Sequence, residues 1–288
     1  MRGFFYFKRT EESPLKISFV GAGSIAEAMI TGLIEKNICS RENIRITNRH
    51  NKLKIHELEQ KYGVYTTYDM NELVRDADMI IFAVKPKDAN EALEKISPYI
   101  QKDSFFVSVM AGISIEFITD KLKTNCAIAR AMPNTSASVG KSATAITFNH
   151  SVSNLQKEMA LSIFSAIGIT EEVEEYQMDA ITALSGSGPA YFYYVVEAME
   201  KAAEQFGLEK DTSNKLIVQT LLGAAEMLSV SGKKAEVLRN NVTSPGGTTE
   251  AGITVLEQAE MQEAFIACVH AAAEQSKRLG IMYESKIT

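Results

Sequence analysis

The sequence predicts an α/β fold: a doubly wound parallel sheet in the first half, followed by an all-α second half. Three observations predict it. Before residue 175, short apolar runs alternate with stretches of helical spacing, and strands alternating with helices make a parallel sheet covered on both faces. After residue 175, strand signals vanish and long Ala-, Glu- and Leu-rich stretches remain. The chain has 288 residues, enough for two domains that each bury a core. The expected divisions are an N-terminal extension over 1–14, a sheet domain over 15–175 and a helical domain over 176–288.

Taken in order, the chain opens on an apolar patch, Gly3-Phe4-Phe5-Tyr6-Phe7, followed by Lys8-Arg9. The patch is too short for a signal peptide or a membrane span, so it reads as an extension before the first strand. Residues 16–20 form an apolar strand and 24–36 a helix. A second strand at 43–47 and a second helix at 52–62 follow. Residues 79–84 are a fully apolar strand after Asp76-Ala77-Asp78. Then come a helix at 87–96, a strand at 104–109, a helix at 114–122 and a strand at 126–131. Residues 143–147 and 169–173 add edge strands. In the second half, 189–206, 212–229 and 252–279 are helical, with Gly207 and Gly280 stopping two of them. Small-residue runs such as Ala271-Ala272-Ala273 permit close helix packing and predict a homodimer built through this half.

Composition narrows the function. The apolar share is 45% and the charged share 23%, as in soluble globular proteins. A net charge of -6 repels nucleic acid, and no basic cluster overrides it. Cys39, Cys126 and Cys268 are scattered and read as reduced thiols. No cysteine or histidine spacing suggests a metal, and no run is long enough to span a membrane. The expected location is cytoplasmic.

Gly21-Ala22-Gly23-Ser24-Ile25-Ala26 is a GxGxxA sequence that follows the strand ending at Val20 and opens a helix. Gly21 makes the tight turn, Gly23 lets backbone approach a pyrophosphate, and Ala26 lets helix and strand pack closely. The helix start offers free N–H groups to the anion. At the end of the next strand, where NAD enzymes carry an acidic residue, stand Asn48, Arg49 and His50. Arg49 can pair with a 2′-phosphate, which favours NADP over NAD; the alternative is a solvated arginine at a strand end. Ala83-Val84-Lys85-Pro86 ends another strand at the same sheet edge, or is a simple strand-to-helix turn.

Five stretches together resemble the 1-pyrroline-5-carboxylate reductase family of proline biosynthesis: Gly21–Ala28, Ala83–Pro86, Arg130-Ala-Met-Pro-Asn134, Ser185-Gly-Ser-Gly-Pro-Ala-Tyr191 and Ser244-Pro-Gly-Gly-Thr-Thr249. The last two are the specific ones. The resemblance covers nearly the whole chain after the extension. It implies an N-terminal Rossmann domain and a C-terminal helical domain that dimerises by interleaving, as a homodimer or a higher oligomer of dimers. It also implies NADPH as hydride donor, with NADH used less often. The chain departs from the family's pattern at Ile25, Ser136 and Ser142, where Met, Pro and Gly are common, and at Glu250, which replaces an apolar residue.

The implied reaction reduces a cyclic C=N bond beside a carboxylate. A protonated imine is already electrophilic, so hydroxyls and glycines suffice. The Ser244–Thr249 stretch precedes a helix, and its N–H groups, Gly246 included, can cradle an anion. By resemblance, Thr249 contacts the ring nitrogen, and the backbone of Gly247 and Thr248 contacts the carboxylate; alternatively, Thr248 or Thr249 simply caps the next helix. The resemblance places Ser187 near nicotinamide and substrate, as a catalytic candidate. Asn134 is a candidate to hydrogen-bond the substrate, or is an ordinary turn residue. Two other readings stand open. One is a related β-hydroxyacid or imine reductase using Lys201 or Lys215; the other is a non-catalytic NADP(H)-binding paralogue.

Overall fold

A computed structural model describes residues 14–285; the predicted extension over 1–14 therefore lies, but for its last residue, outside the described residues. By contact the chain divides into two compact units. One holds residues up to Ser187 together with those from Ala271 onward, and the other is Gly188–His270.

The first unit carries an eight-stranded sheet ordered β3-β2-β1-β4-β5-β6-β7-β8. The strands are β1 (Ile17–Val20), β2 (Ile44–Thr47), β3 (Tyr65–Thr66), β4 (Met79–Phe82), β5 (Phe105–Ser108), β6 (Ala127–Met132), β7 (Ser142–Phe148) and β8 (Gly168–Glu172). Its helices are α1 (Ser24–Glu35), α2 (Lys52–Tyr62), α3 (Met70–Val74), α4 (Ala89–Ile96), α5 (Ile115–Leu122), α6 (Asn154–Ser165) and α7 (Met178–Ile181).

β1, β4 and β5 are buried along their whole length, which explains why they read as unbroken apolar runs. Alternate side chains serve different layers. Ile17, Phe19, Ile81 and Val107 pack with Met29 and Leu33 of α1. Val20, Phe82 and Phe106 pack with Leu93 of α4 and Ile118 of α5. This is the doubly wound arrangement the alternation predicts.

One strand runs against expectation. β1 to β6 pair in parallel, but β7 is antiparallel to β6, with Arg130 opposite Thr147. The connection from β6 to β7 holds only a 3-10 turn, Thr135–Val139, closed by Gly140 at φ 67°. That is too short for a crossover helix, so the chain must turn back. β8 then lies parallel to β7 after α6.

The second unit holds α8 (Gly188–Gln205), α9 (Lys210–Val230), α10 (Ala235–Asn241), α11 (Thr248–Gln258) and the first part of α12 (Met261–Ser285). Gly207, at φ 72°, ends α8 as expected. The predicted helix over 252–279 is two helices, broken at Glu260, which adopts φ 51°. Gly280 does not stop α12. It lies inside the helix, where a Cβ would stand 2.4 Å from the carbonyl oxygen of Gly112. Its missing side chain admits a neighbouring backbone. None of the described helices is long and apolar enough to cross a membrane.

Candidate active site

A cavity of about 630 Å³ opens where β1 and β4 lie side by side. That is the switch point of the strand order, and ligands of open α/β sheets bind there, outside the carboxyl ends of the strands. Its floor is Val20, Gly21, Ala22 and Gly23. Gly21 adopts φ 113°, donates to the Thr47 carbonyl at 2.9 Å, and would bring a Cβ within 2.4 Å of the Ala83 oxygen. Gly23 has nothing within 4 Å of its would-be Cβ and occupies the N-cap of α1, where no side chain caps the helix. The first N–H groups of α1 thus face open space without a competing acceptor. The Thr47 hydroxyl, buried in the wall, has no hydrogen-bond partner. A glycine cradle, uncapped donors and an orphaned hydroxyl fit a dinucleotide.

Asn48, Arg49, Ala83, Val84 and Lys85 also line the cavity. Ser24, Ile25 and Pro86 adjoin it but do not form its wall. Asn48 is fixed by its amide to the Asn51 carbonyl at 2.7 Å and accepts from the Tyr68 hydroxyl at 3.2 Å. Arg49 pairs with Asp88 at 2.9 Å and with Glu91 at 2.5 Å. Sequence reasoning missed Tyr68, Asp88, Glu91, Lys95 and Tyr99, all wall residues. Four of these were detectable: positions 88, 91, 95 and 99 recur at helical spacing along and just past α4.

Glu27, one turn into α1, holds α2 in place. Its carboxylate accepts from Lys54 at 2.8 Å, Lys61 at 2.9 Å and the Tyr62 hydroxyl at 3.0 Å. The Lys54 bond, helped by Lys61 and Tyr62, pulls the Glu27 pKa down to about 2. Burial pushes the Cys39 thiol up to about 12 and the Cys126 thiol up to about 11, so neither is a ready nucleophile.

The Arg130–Asn134 stretch is bonded to Ser185. The Asn134 amide donates to the Ser185 carbonyl at 3.0 Å, and its side-chain oxygen accepts from Ser136 N–H at 3.1 Å. Asn134 therefore caps the 3-10 turn and tethers Ser185. Ser142 accepts the Asn134 N–H at 3.0 Å, giving that departure from the family pattern a role. Ser185 and Gly186 end a π-helical turn, Thr182–Gly186, after α7. Ser187 N–H closes that turn onto the Thr182 carbonyl at 2.8 Å. Buried Arg130 pairs with Glu175 at 3.4 Å, and Glu175 accepts from Ile115 N–H at 2.7 Å. A turn of this wide type recurs at functional sites.

In the helical unit, neither threonine caps α11. Gly247 is the N-cap, with no side-chain bond, and Thr248 and Thr249 are the first two helical residues. Gly247 N–H donates to the Ser244 carbonyl at 2.9 Å, and Gly246 N–H donates to Glu250 at 2.7 Å. These two glycine donors, expected to face a carboxylate, are engaged within the loop. The open donors are the N–H groups of Thr248, Thr249 and Glu250. Among the described residues no group of three His, Cys, Asp or Glu is placed to hold a metal.

The sheet, its switch-point cavity and the glycine cradle define an NAD(P)-dependent oxidoreductase. Residues 16–112 match the family model described as NADP oxidoreductase, coenzyme F420-dependent, and residues 175–279 match pyrroline-5-carboxylate reductase dimerisation. Pyrroline-5-carboxylate reductase 2 of Bacillus subtilis is 47% identical over 92% of this chain and 95% of its own. A solved pyrroline-5-carboxylate reductase from Coxiella burnetii superposes with TM-score 0.85 at 38% identity, covering 93% of this chain and 99% of the other. That of Plasmodium falciparum, solved with NADP bound, superposes with TM-score 0.84 at 32% identity over 92% of this chain and 98% of its own. The chain belongs to the pyrroline-5-carboxylate reductase family.

Proposed function

We propose that the protein reduces 1-pyrroline-5-carboxylate to L-proline, the last step of proline biosynthesis. The observation that carries the reading is the uncapped start of α11, where Thr248 and Thr249 offer donors and hydroxyls beside an otherwise satisfied loop. A planar imine carboxylate needs such donors and no acid.

Gly21, Gly23 and the first turn of α1 would hold the pyrophosphate, and Arg49 would face the ribose 2′ position. When bound, NADPH supplies the hydride that adds to the imine carbon, while a proton ends on the ring nitrogen. The chain's own part is orientation. Thr249 holds the ring nitrogen, Thr248 and Thr249 N–H groups hold the carboxylate, and Asn134 fixes the π turn carrying Ser185 to Ser187. No strongly acidic side chain is needed, because the protonated imine is already electrophilic.

The reading includes a homodimer. In Gly188–His270, Phe192, Tyr194 and Leu216 are 57%, 74% and 62% exposed, and of α8 and α9 only Gly188, Ala203, Ser213 and Ile217 are buried. A helical unit this open needs a second copy to cover it. A cytoplasmic setting accords with its three free cysteines.

The test is a comparison of two imines. With NADPH, 1-pyrroline-5-carboxylate should turn over with kcat/KM about 100-fold above that of 1-pyrroline, which lacks the carboxylate. Equal turnover of both contradicts the assignment of the α11 donors.

A further inference from the structure

Arg49 reaches the cavity wall with its guanidinium already engaged. One terminal nitrogen pairs with Asp88 at 2.9 Å and the other with Glu91 at 2.5 Å. All three residues line the cavity. The second Glu91 oxygen is held by Lys95 at 2.8 Å. That bond, with Arg49 and His50 nearby, holds the Glu91 carboxyl below the usual range, so it is ionised at neutral pH. Residues 48–50 contain no acidic group. The carboxylates come instead from the segment that follows β4 and enters α4, 39 residues beyond Arg49 in the case of Asp88.

Two features follow from this placement. A guanidinium pairs with a phosphate through the same two-nitrogen fork that Asp88 and Glu91 occupy. A 2′-phosphate must therefore compete with them for the arginine and sit beside two negative charges, which repel it at close range. A 2′-hydroxyl meets the opposite situation, because a carboxylate at the edge of the ribose accepts its proton, as the acidic residue of NAD-type sites does.

We infer that Asp88 and Glu91 form a specificity pair that restrains Arg49 and accepts the ribose 2′-hydroxyl, and so lowers the site's preference for a 2′-phosphate. The inference rests on the nucleotide reading of the cavity and adds the residues that set the preference within it. At this wall the arginine's charge is opposed by two carboxylates.

Calorimetric titration of the full chain with NADPH and with NADH tests it, using the unaltered protein and the D88N/E91Q variant. Removing both charges should tighten NADPH about tenfold and weaken NADH about threefold. Both side chains are partly exposed, and thermal unfolding checks that the variant is folded. A ratio of the two dissociation constants that moves less than threefold overturns the inference while leaving the nucleotide site intact. Failure of the unaltered protein to bind either cofactor overturns the nucleotide reading as well. A measurement on the unaltered protein stands beside it. ADP-ribose and its 2′-phosphate should bind within about tenfold of each other, and a larger preference for the phosphate overturns the pair's role.

Discussion

In the sheet unit, β1, β4 and β5 are covered on both faces and the nucleotide cavity is walled by that unit's own residues. In the helical unit, Phe192, Tyr194, Leu216 and Val255 stand open, and the candidate donors Thr248 and Thr249 sit at a helix start with no side-chain cap. The first region satisfies its backbone and its core within one fold. The second leaves a large apolar surface that water disfavours. The difference teaches that the cavity is built by residues of one unit, whereas the helical unit leaves apolar surface that the proposed second copy would cover.

The largest expected effect breaks the open side of that comparison. Replacing Phe192 and Leu216 together with Asp should raise the dimer dissociation constant more than about 100-fold. Light scattering at micromolar concentration reads it; an unchanged dimeric mass, or a monomeric mass for the unaltered protein, refutes the account of the helical unit.

Next comes a pair of glycine substitutions on the closed side. Gly21→Ala puts a Cβ 2.4 Å from the Ala83 oxygen at φ 113°. It should cost about 3 kcal/mol of stability and abolish NADPH binding. Gly23→Ala meets nothing within 4 Å, so its melting temperature should stay within about 2 °C while NADPH affinity falls about tenfold. If Gly23→Ala binds NADPH as the parent does, the pyrophosphate lies elsewhere.

Thr249→Ala separates the two regions functionally. It should lower kcat/KM for the imine about 100-fold and leave NADPH affinity unchanged. A matching loss of both would place Thr249 in cofactor binding instead.

The smallest effect concerns acid stability. Glu27 has its pKa lowered from 4.5 to about 2 in the folded chain, chiefly by Lys54. Its contribution is present above the unfolded value and is lost as pH falls through the folded one. Melting temperature should therefore drop more steeply between pH 4.5 and about 2 in the parent than in Glu27→Gln. Parallel curves would show that the Lys54–Lys61–Tyr62 cluster adds nothing.

Much of this was legible beforehand, for physical reasons that differ by element. β1, β4 and β5 announced themselves because both their faces are buried. β3, with two residues, was too short to leave a pattern. The reversal of β7 depends on a connection length that the apolar pattern does not encode. Gly280 looked like a helix stop because glycine usually is one there, but a tertiary contact with Gly112 decided its role. The glycine cradle was readable from local spacing. The spacing of Asp88 and Glu91 at the start of α4 was readable too, but not their pairing with Arg49, since they reach it from another strand's end. The Gly246–Glu250 bond was likewise hidden, although Glu250 was visible as a departure from the family pattern.

The central claim is that the protein uses NADPH to reduce 1-pyrroline-5-carboxylate to proline. Mixing purified protein, NADPH and 1-pyrroline-5-carboxylate tests it most directly, with NADPH absorbance and proline followed together. The account predicts one proline formed per NADPH oxidised. NADPH bound with no proline formed would contradict it and leave a cofactor-binding protein without this activity.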